Sequence, residues 1–264
     1  MFLVKNGHCY LLQFGAFNRI RGIFHAIGCR NGGISRPPFD GLNVSYGVGD
    51  DPAAVAVNRV RLQQSTGDGD HVYARQVHGT AIRVITREAG SRIESNEAEL
   101  PPADALITNV PGVRLLIQTA DCQAVMLVDP QVRVVANVHS GWRGSVADII
   151  GKTVARMVTE FGCRPGDMHA AIGPSLGPCC AEFVNYKQEI PRKWWSFRVG
   201  PHHFDFWRIS RHQLVSAGLS DDHVTTPGLC TRCNPGLFYS YRAARRTGRF
   251  AALIGMDRDI DTGY

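Results

Sequence analysis

Val113-Arg114-Leu115-Leu116-Ile117-Gln118-Thr119-Ala120-Asp121-Cys122 and Val134-Val135-Ala136-Asn137-Val138-His139-Ser140-Gly141-Trp142-Arg143-Gly144 are the stretches whose reading decides the fold. Val113 to Ile117, Val125 to Val128 and Arg133 to Val138 are nearly continuous apolar runs, the pattern of strands buried on both faces. Asp129-Pro130 marks the turn between the last two. The period then changes. From Gly144 to Phe161, Val146, Ile150, Val154, Met157 and Phe161 recur every three or four residues and form one apolar helix face, and Gly162 follows as a left-handed stop.

The pattern extends outward in both directions. Tyr10 to Phe14 and Ile23 to Ile27 read as short strands, and Asp51-Pro52 opens a helix with Asp51 as N-cap. His71 to His78 alternates as a half-buried strand does, with Ala81 to Thr86 as its expected partner. Glu88 to Pro102 is polar and turn-rich, a surface excursion, and Ala103 to Thr108 begins the central apolar block. Downstream, Met168 to Ile172 reads as a strand, Phe206 to Leu219 as a helix capped by Asp205, and Leu237 to Tyr241 and Phe250 to Ile254 as late strands. There is no repeat and no flexible linker. Mixed strands and helices predict an α/β or α+β sheet fold, one domain over residues 1–264 with a continuous core.

Composition narrows the function classes. With 44% apolar and 20% charged residues among 264, the chain has the make-up of a globular protein. The net charge is +6, and only 4 of the 29 basic residues are lysine. Arginine suits phosphate and carboxylate recognition, although genome base composition produces the same bias. The basic residues are scattered apart from Arg242, Arg245, Arg246 and Arg249, so no nucleic-acid stripe is read. No apolar run reaches the roughly 18 residues of a membrane span, and no secretory leader pattern opens the chain. Eight cysteines in this length do not make a disulfide framework, and a reducing cytoplasm is expected. Cys230-Thr231-Arg232-Cys233 is a lone C-x-x-C. Cys179-Cys180 are adjacent and poorly placed to chelate one ion, so most of these positions read as inert thiols.

The chemistry concentrates on His78, Cys122 and His139. Each closes or follows an expected strand beside a glycine or turn, and strand ends converge on one rim of a sheet. Two imidazoles and a thiolate make a three-ligand zinc site with an open fourth position, the pattern of catalytic zinc. Asp121 is the expected acceptor that orients a ligand histidine. Arg143, where strand gives way to helix, joins free N–H groups and a dipole end in a phosphate site. The same atoms permit a metal-free alternative, with Cys122 as a nucleophile activated by His139 in a cysteine hydrolase or amidase. A copper phenol oxidase needs more histidine than this: the ten here include no H-x-H pair.

The ordered motifs resemble the bacterial multicopper-polyphenol-oxidase, or laccase-domain, family over nearly the whole chain. They are His25-Ala26-Ile27-Gly28-Cys29-Arg30-Asn31-Gly32-Gly33, Asn43-Val44 with Gly49-Asp50-Asp51-Pro52, Asn58-Arg59, Gln76-Val77-His78-Gly79, Ala103-Asp104-Ala105, Thr119-Ala120-Asp121-Cys122, His139-Ser140-Gly141-Trp142-Arg143-Gly144, Ile172-Gly173-Pro174, Cys230-Thr231 and Phe238-Tyr239-Ser240-Tyr241-Arg242. The family includes purine nucleoside phosphorylases and a peptidoglycan-editing factor and is similar to FAMIN. The resemblance implies a mixed-sheet α/β sandwich with helices on its outer faces, related to a deamidase that uses Cys and His. It implies zinc on His78, Cys122 and His139, phosphorolysis of adenosine or inosine to base and pentose 1-phosphate, and adenosine deamination. It further implies Asn43, Arg59 and Arg143 around the substrate. Ser140, Gln123-Ala124, Ala181 and Ala26 depart from the family pattern; none removes an expected ligand, but Gln123 and Ala181 bear on pocket shape.

Overall fold

The computed structural model describes residues 1–67, 69–87 and 100–258. Most of the Glu88 to Pro102 excursion therefore lies outside the described residues. Two six-stranded mixed sheets form the centre. The first runs β1 (Phe2–Asn6), β2 (Cys9–Gln13), β3 (Ile23–Gly28), β12 (Phe250–Met256), β7 (Val113–Thr119), β4 (Asp70–Tyr73). The second runs β11 (Val224–Thr225), β10 (His169–Ile172), β8 (Gln123–Asp129), β9 (Val134–Ser140), β6 (Ala105–Thr108), β5 (Ile82–Ile85).

The apolar runs are continuous because both faces of these strands are covered. Leu115 and Ile117 on β7 and Met126 and Val128 on β8 join the cluster between the sheets. Their neighbours Val125 and Leu127 turn outward against helix α3 (Ile149–Phe161) and helix α4 (Phe206–Ser216), through Ile150, Val154, Met157 and Leu214. Leu116 and Leu253 turn outward on the first sheet and meet Leu62 of helix α1 (Pro52–Thr66). The result is the expected sandwich with helices on its outer faces. Asn137 crosses its middle: fully buried on β9, it donates to the carbonyls of Leu115 (2.9 Å) and Ala252 (2.8 Å) in the other sheet.

Several local expectations need correction. The His71 strand and the Ala81 strand are not partners. β4 pairs in parallel with β7, and β5 pairs in parallel with β6, so residues 74–81 carry the chain from one sheet to the other. A second crossing occurs at Ala120-Asp121-Cys122, between β7 and β8. Periodicity reports which residues are buried but not which sheet a strand joins. The long helix is interrupted: helix α2 (Trp142–Val146) ends, Asp148 turns left-handed (φ 59°), and its carboxylate caps α3 by accepting from Gly151 N. Leu237 to Tyr241 is a series of turns, not a strand, although Phe238 and Tyr239 are fully buried. Asp51 and Asp205 cap their helices as read.

Two buried histidines set an acid limit on this fold. Burial pushes the His25 imidazole down to about 4; its Nε2 accepts the Phe14 amide at 2.7 Å. Burial, with the positive charges of Arg114 and Arg59, likewise pushes His71 down to about 4. The unfolded chain takes up these protons near 6.5, whereas the folded chain waits until about 4. Their contribution is thus intact above the higher value and is lost as pH falls through the window. Ring 15N shifts of His25 and His71 should remain those of neutral imidazole until pH approaches about 4; titration of either ring near its ordinary value contradicts this.

Candidate active site and metal centre

Two of the four places where the chain changes sheet, β4 to β5 and β7 to β8, lie side by side, and each delivers one functional side chain. Beyond Ala74, whose amide donates to Leu116 O at 3.3 Å, the backbone pairing with β7 stops, and the Gln76 side chain continues it. Its Nε2 donates to Gln118 O and its Oε1 accepts from Gln118 N, both at 2.8 Å. That stitch sets His78 against Cys122. Both crossings contain a non-glycine residue in the left-handed region, His78 (φ 60°) and Asp121 (φ 89°). Such backbone costs on the order of 1 kcal/mol and persists where its surroundings impose it.

Asp104 imposes it at His78. Its fully buried carboxylate accepts three successive amides, Val77 (3.2 Å), His78 (2.9 Å) and Gly79 (2.7 Å). It also accepts Nδ1 of His139 at 2.7 Å. Burial opposes a charge on Asp104, but the His139 hydrogen bond and the amides of Gly79 and Val77 outweigh it and hold the carboxyl below its ordinary range. One side chain therefore shapes the turn carrying His78 and holds His139 by Nδ1, which leaves Nε2 on the side of Cys122. Asp121, expected in that orienting role, instead accepts the Thr231 hydroxyl and the Arg242 amide, both at 2.6 Å, and braces the second crossing.

His78, Cys122 and His139 each present a donor atom within 4.8 Å of the others. Cys122 Sγ lies 3.8 Å from His78 Nε2, and the two imidazoles meet edge to face with centroids 4.8 Å apart. A tetrahedral ion with ordinary Zn–S and Zn–N bonds separates such atoms by about 3.6 Å. Gly141 provides the space between them. A Cβ there would stand 3.0 Å from Cys122 Sγ and 3.0 Å from His78 Cδ2. The donor set and the cradle fit a metal ion with three protein ligands. In the thiol itself burial acts upward, but the His139 charge and hydrogen bonds from His139 and His78 prevail and pull Cys122 down to about 6. For His139 burial acts downward, and Cys122 with Asp104 lifts it to about 9.

The triad lines the floor of a cavity of about 1240 Å³. Tyr46, Trp142, Phe183 and Tyr241 contribute aromatic walls, and Arg75, Arg143, Arg242, Arg245 and Arg249 contribute cations. Three of those cations come from the single arginine cluster visible in the sequence. Arg143 stacks on Trp142 (4.4 Å to the ring centroid). The helix-end argument for phosphate at Arg143 loses force, because α2 is only five residues long. Asn43 and Arg59 stand one layer behind the wall. Asn43 is fully buried; it accepts the Arg249 amide at 2.8 Å and donates to Ser45 O. Arg59 donates to Val44 O, and its guanidinium lies over the rings of Tyr46 and Tyr73. Sequence reasoning passed over Asp104 and Gln76. A lone carboxylate inside the apolar run after Pro101-Pro102 is the signal that could have found Asp104.

The geometry defines an α/β sandwich with a Cys/His₂ triad that could hold a metal ion at the base of an arginine-lined cavity. The chain belongs to the family described as multi-copper polyphenol oxidoreductase laccase, whose model matches residues 24–257. Curated relatives include a protein named purine nucleoside phosphorylase from Deinococcus radiodurans, 38% identical over 245 residues and covering 89% of each chain. Another, purine nucleoside phosphorylase YlmD of Geobacillus stearothermophilus, is 34% identical over 239 residues, 86% of this chain and 87% of its own. The crystal structure of YlmD from Geobacillus stearothermophilus superposes with a TM-score of 0.84 at 30% identity over 98% of both chains. YfiH of Bacillus licheniformis, described as a hypothetical protein, gives 0.84 at 27% identity over 97% of this chain and 99% of its own. No helix among the described residues is long and apolar enough to cross a membrane.

Proposed function

We propose that this chain is a zinc-dependent purine nucleoside phosphorylase that also deaminates adenosine. The observation that carries the reading is the meeting of His78, Cys122 and His139 beneath a cavity holding five arginines and several aromatic rings. Relatives named for that activity over nearly the full length support it. His78, Cys122 and His139 would hold the ion, with Asp104 keeping His139 in the ligating tautomer. Bound there, zinc supplies a Lewis acid at the cavity floor.

The chain's own groups do the rest. Arg245 and Arg249 flank the Tyr241 ring, each 6.0 Å from its centroid. They offer phosphate a charged fork next to a stacking surface for a purine. In phosphorolysis a phosphate oxygen bonds to C1′ as the bond from C1′ to N9 breaks, and the base leaves with a proton. Arginines that hold phosphate in line make that encounter effectively intramolecular. Adenosine with phosphate should yield adenine and ribose 1-phosphate, and adenosine alone should yield inosine and ammonia. A zinc-replete preparation that turns over no purine nucleoside refutes the reading. Arg245→Ala should raise the phosphate KM about ten- to a hundredfold, the worth of one charge-assisted hydrogen bond, with little change in kcat. Unaltered phosphate saturation curves remove Arg245 from the site.

A second reading has one observation in its favour. Without metal, the depressed Cys122 thiol, the raised His139 and the Asp104 carboxylate form a Cys-His-Asp line suited to nucleophilic hydrolysis. Amidase activity that survives complete zinc removal and disappears on alkylation of Cys122 would establish it. Copper in the same three ligands is the remaining metal alternative, and phenol oxidation arising only after copper loading would mark it as adventitious.

A further inference from the structure

Cys9, Cys29 and Cys163 are buried, as inert thiols are expected to be, but that reading does not account for the other four cysteines outside the triad. Cys179, Cys180, Cys230 and Cys233, drawn from two segments far apart in sequence, bring their sulfurs within 4.8 Å of one another. None of the four lines the large cavity. The second pair that Cys230-Thr231-Arg232-Cys233 needs is thus supplied by the adjacent Cys179-Cys180.

We propose that these four cysteines form a second, structural metal centre that binds one zinc ion as a tetrathiolate. Such a centre is independent of what the cavity catalyses. Cys233 Sγ lies 3.7 Å from Cys179 Sγ and 3.6 Å from Cys180 Sγ. Four sulfurs around one zinc at ordinary bond length stand about 3.8 Å apart, whereas a disulfide requires about 2.05 Å. All four are free thiols. Apolar packing does not explain the cluster, because Cys179 and Cys233 are exposed. Closed sites with four protein ligands are the structural class, in contrast to the triad at the cavity floor.

Gly177 permits the approach: a Cβ there would stand 2.7 Å from the Trp207 ring and 3.0 Å from Cys230 Cβ. Binding releases the four thiol protons to solvent and leaves a net dianion. Arg242 lies nearby, donating to the carbonyls of Cys180 and Glu182, both at 3.1 Å.

The ion would clamp two walls of the active cavity. One cysteine pair precedes the wall residues Glu182 and Phe183, and the other precedes Tyr241 and Arg242. Thr231, inside the C-x-x-C, is the residue that braces Asp121 beside Cys122. Removing this centre should therefore lower the melting temperature and raise nucleoside KM more than it lowers kcat.

Metal analysis of the full chain, purified anaerobically and dialysed against a weak chelator, tests the proposal. Wild type should carry two zinc ions. Cys122→Ala should keep one, and Cys233→Ser should keep the other. Should Cys233→Ser fail to fold, cobalt decides: Cys122→Ala protein, with its four cysteines intact, should show the intense thiolate-to-cobalt charge transfer of a tetrahedral sulfur site. One zinc in wild type and none in Cys122→Ala overturns the proposal. So does a disulfide among the four in freshly isolated protein, or free maleimide labelling of all four in zinc-replete protein.

Discussion

Cys122→Ala is expected to lose the cavity-floor zinc and to lower kcat/KM for adenosine phosphorolysis by at least about a thousandfold, roughly 4 kcal/mol of transition-state stabilisation. The size follows from what the thiol does. It is the only sulfur in the triad, and the two imidazoles left behind hold a divalent ion far less tightly than three converging donors. The side chain is small and half-buried in a crossing braced by other residues, so the fold should persist. Zinc content, circular dichroism and steady-state rates on the same preparation separate metal loss from unfolding. A variant that keeps its zinc and most of its activity removes Cys122 from the mechanism.

Asp104→Asn is expected to be nearly as damaging although it conserves shape. The carboxylate faces four donors: three backbone amides and His139 Nδ1. An amide has one acceptor oxygen, so its NH₂ must point at groups that also donate. If it faces His139, the ring can accept only by moving its proton to Nε2, the nitrogen the metal needs. If it faces Val77 and Gly79, the turn that carries His78 opens. Either outcome disturbs one ligand, and about a hundredfold or greater loss of metal affinity and activity is expected. Removal of the buried charge partner should also cost about 3 kcal/mol of stability. Zinc titration with a competing chelator and urea melts measure the two effects. Wild-type metal affinity would show that His139 is oriented by something other than Asp104.

Much of this was legible in the sequence. Continuous apolar runs marked β7, β8 and β9 because both faces of those strands are covered, and the residues at their ends named Cys122 and His139. Asp51 and Asp205 announced their helices because caps are local chemistry. What failed was long-range. Strand partners depend on which sheet the chain enters: Ala81 to Thr86 read as the partner of the His71 strand, whereas residues 74–81 are a crossing between sheets. The orienting carboxylate was sought beside Cys122 in sequence, at Asp121, yet a ligand's partner needs only to be near in space, as Asp104 is. The cysteine quartet was invisible for the same reason: adjacent Cys179-Cys180 gives no chelate spacing until the fold brings Cys230 and Cys233 to it.

The account rests on one ion shared by His78, Cys122 and His139. Crystals of the protein with adenosine, with diffraction recorded on either side of the zinc absorption edge, test it most directly. An anomalous peak at bonding distance from His78 Nε2, Cys122 Sγ and His139 Nε2, in protein that releases adenine, is the expected result. No anomalous peak among those three atoms in catalytically active protein would contradict it.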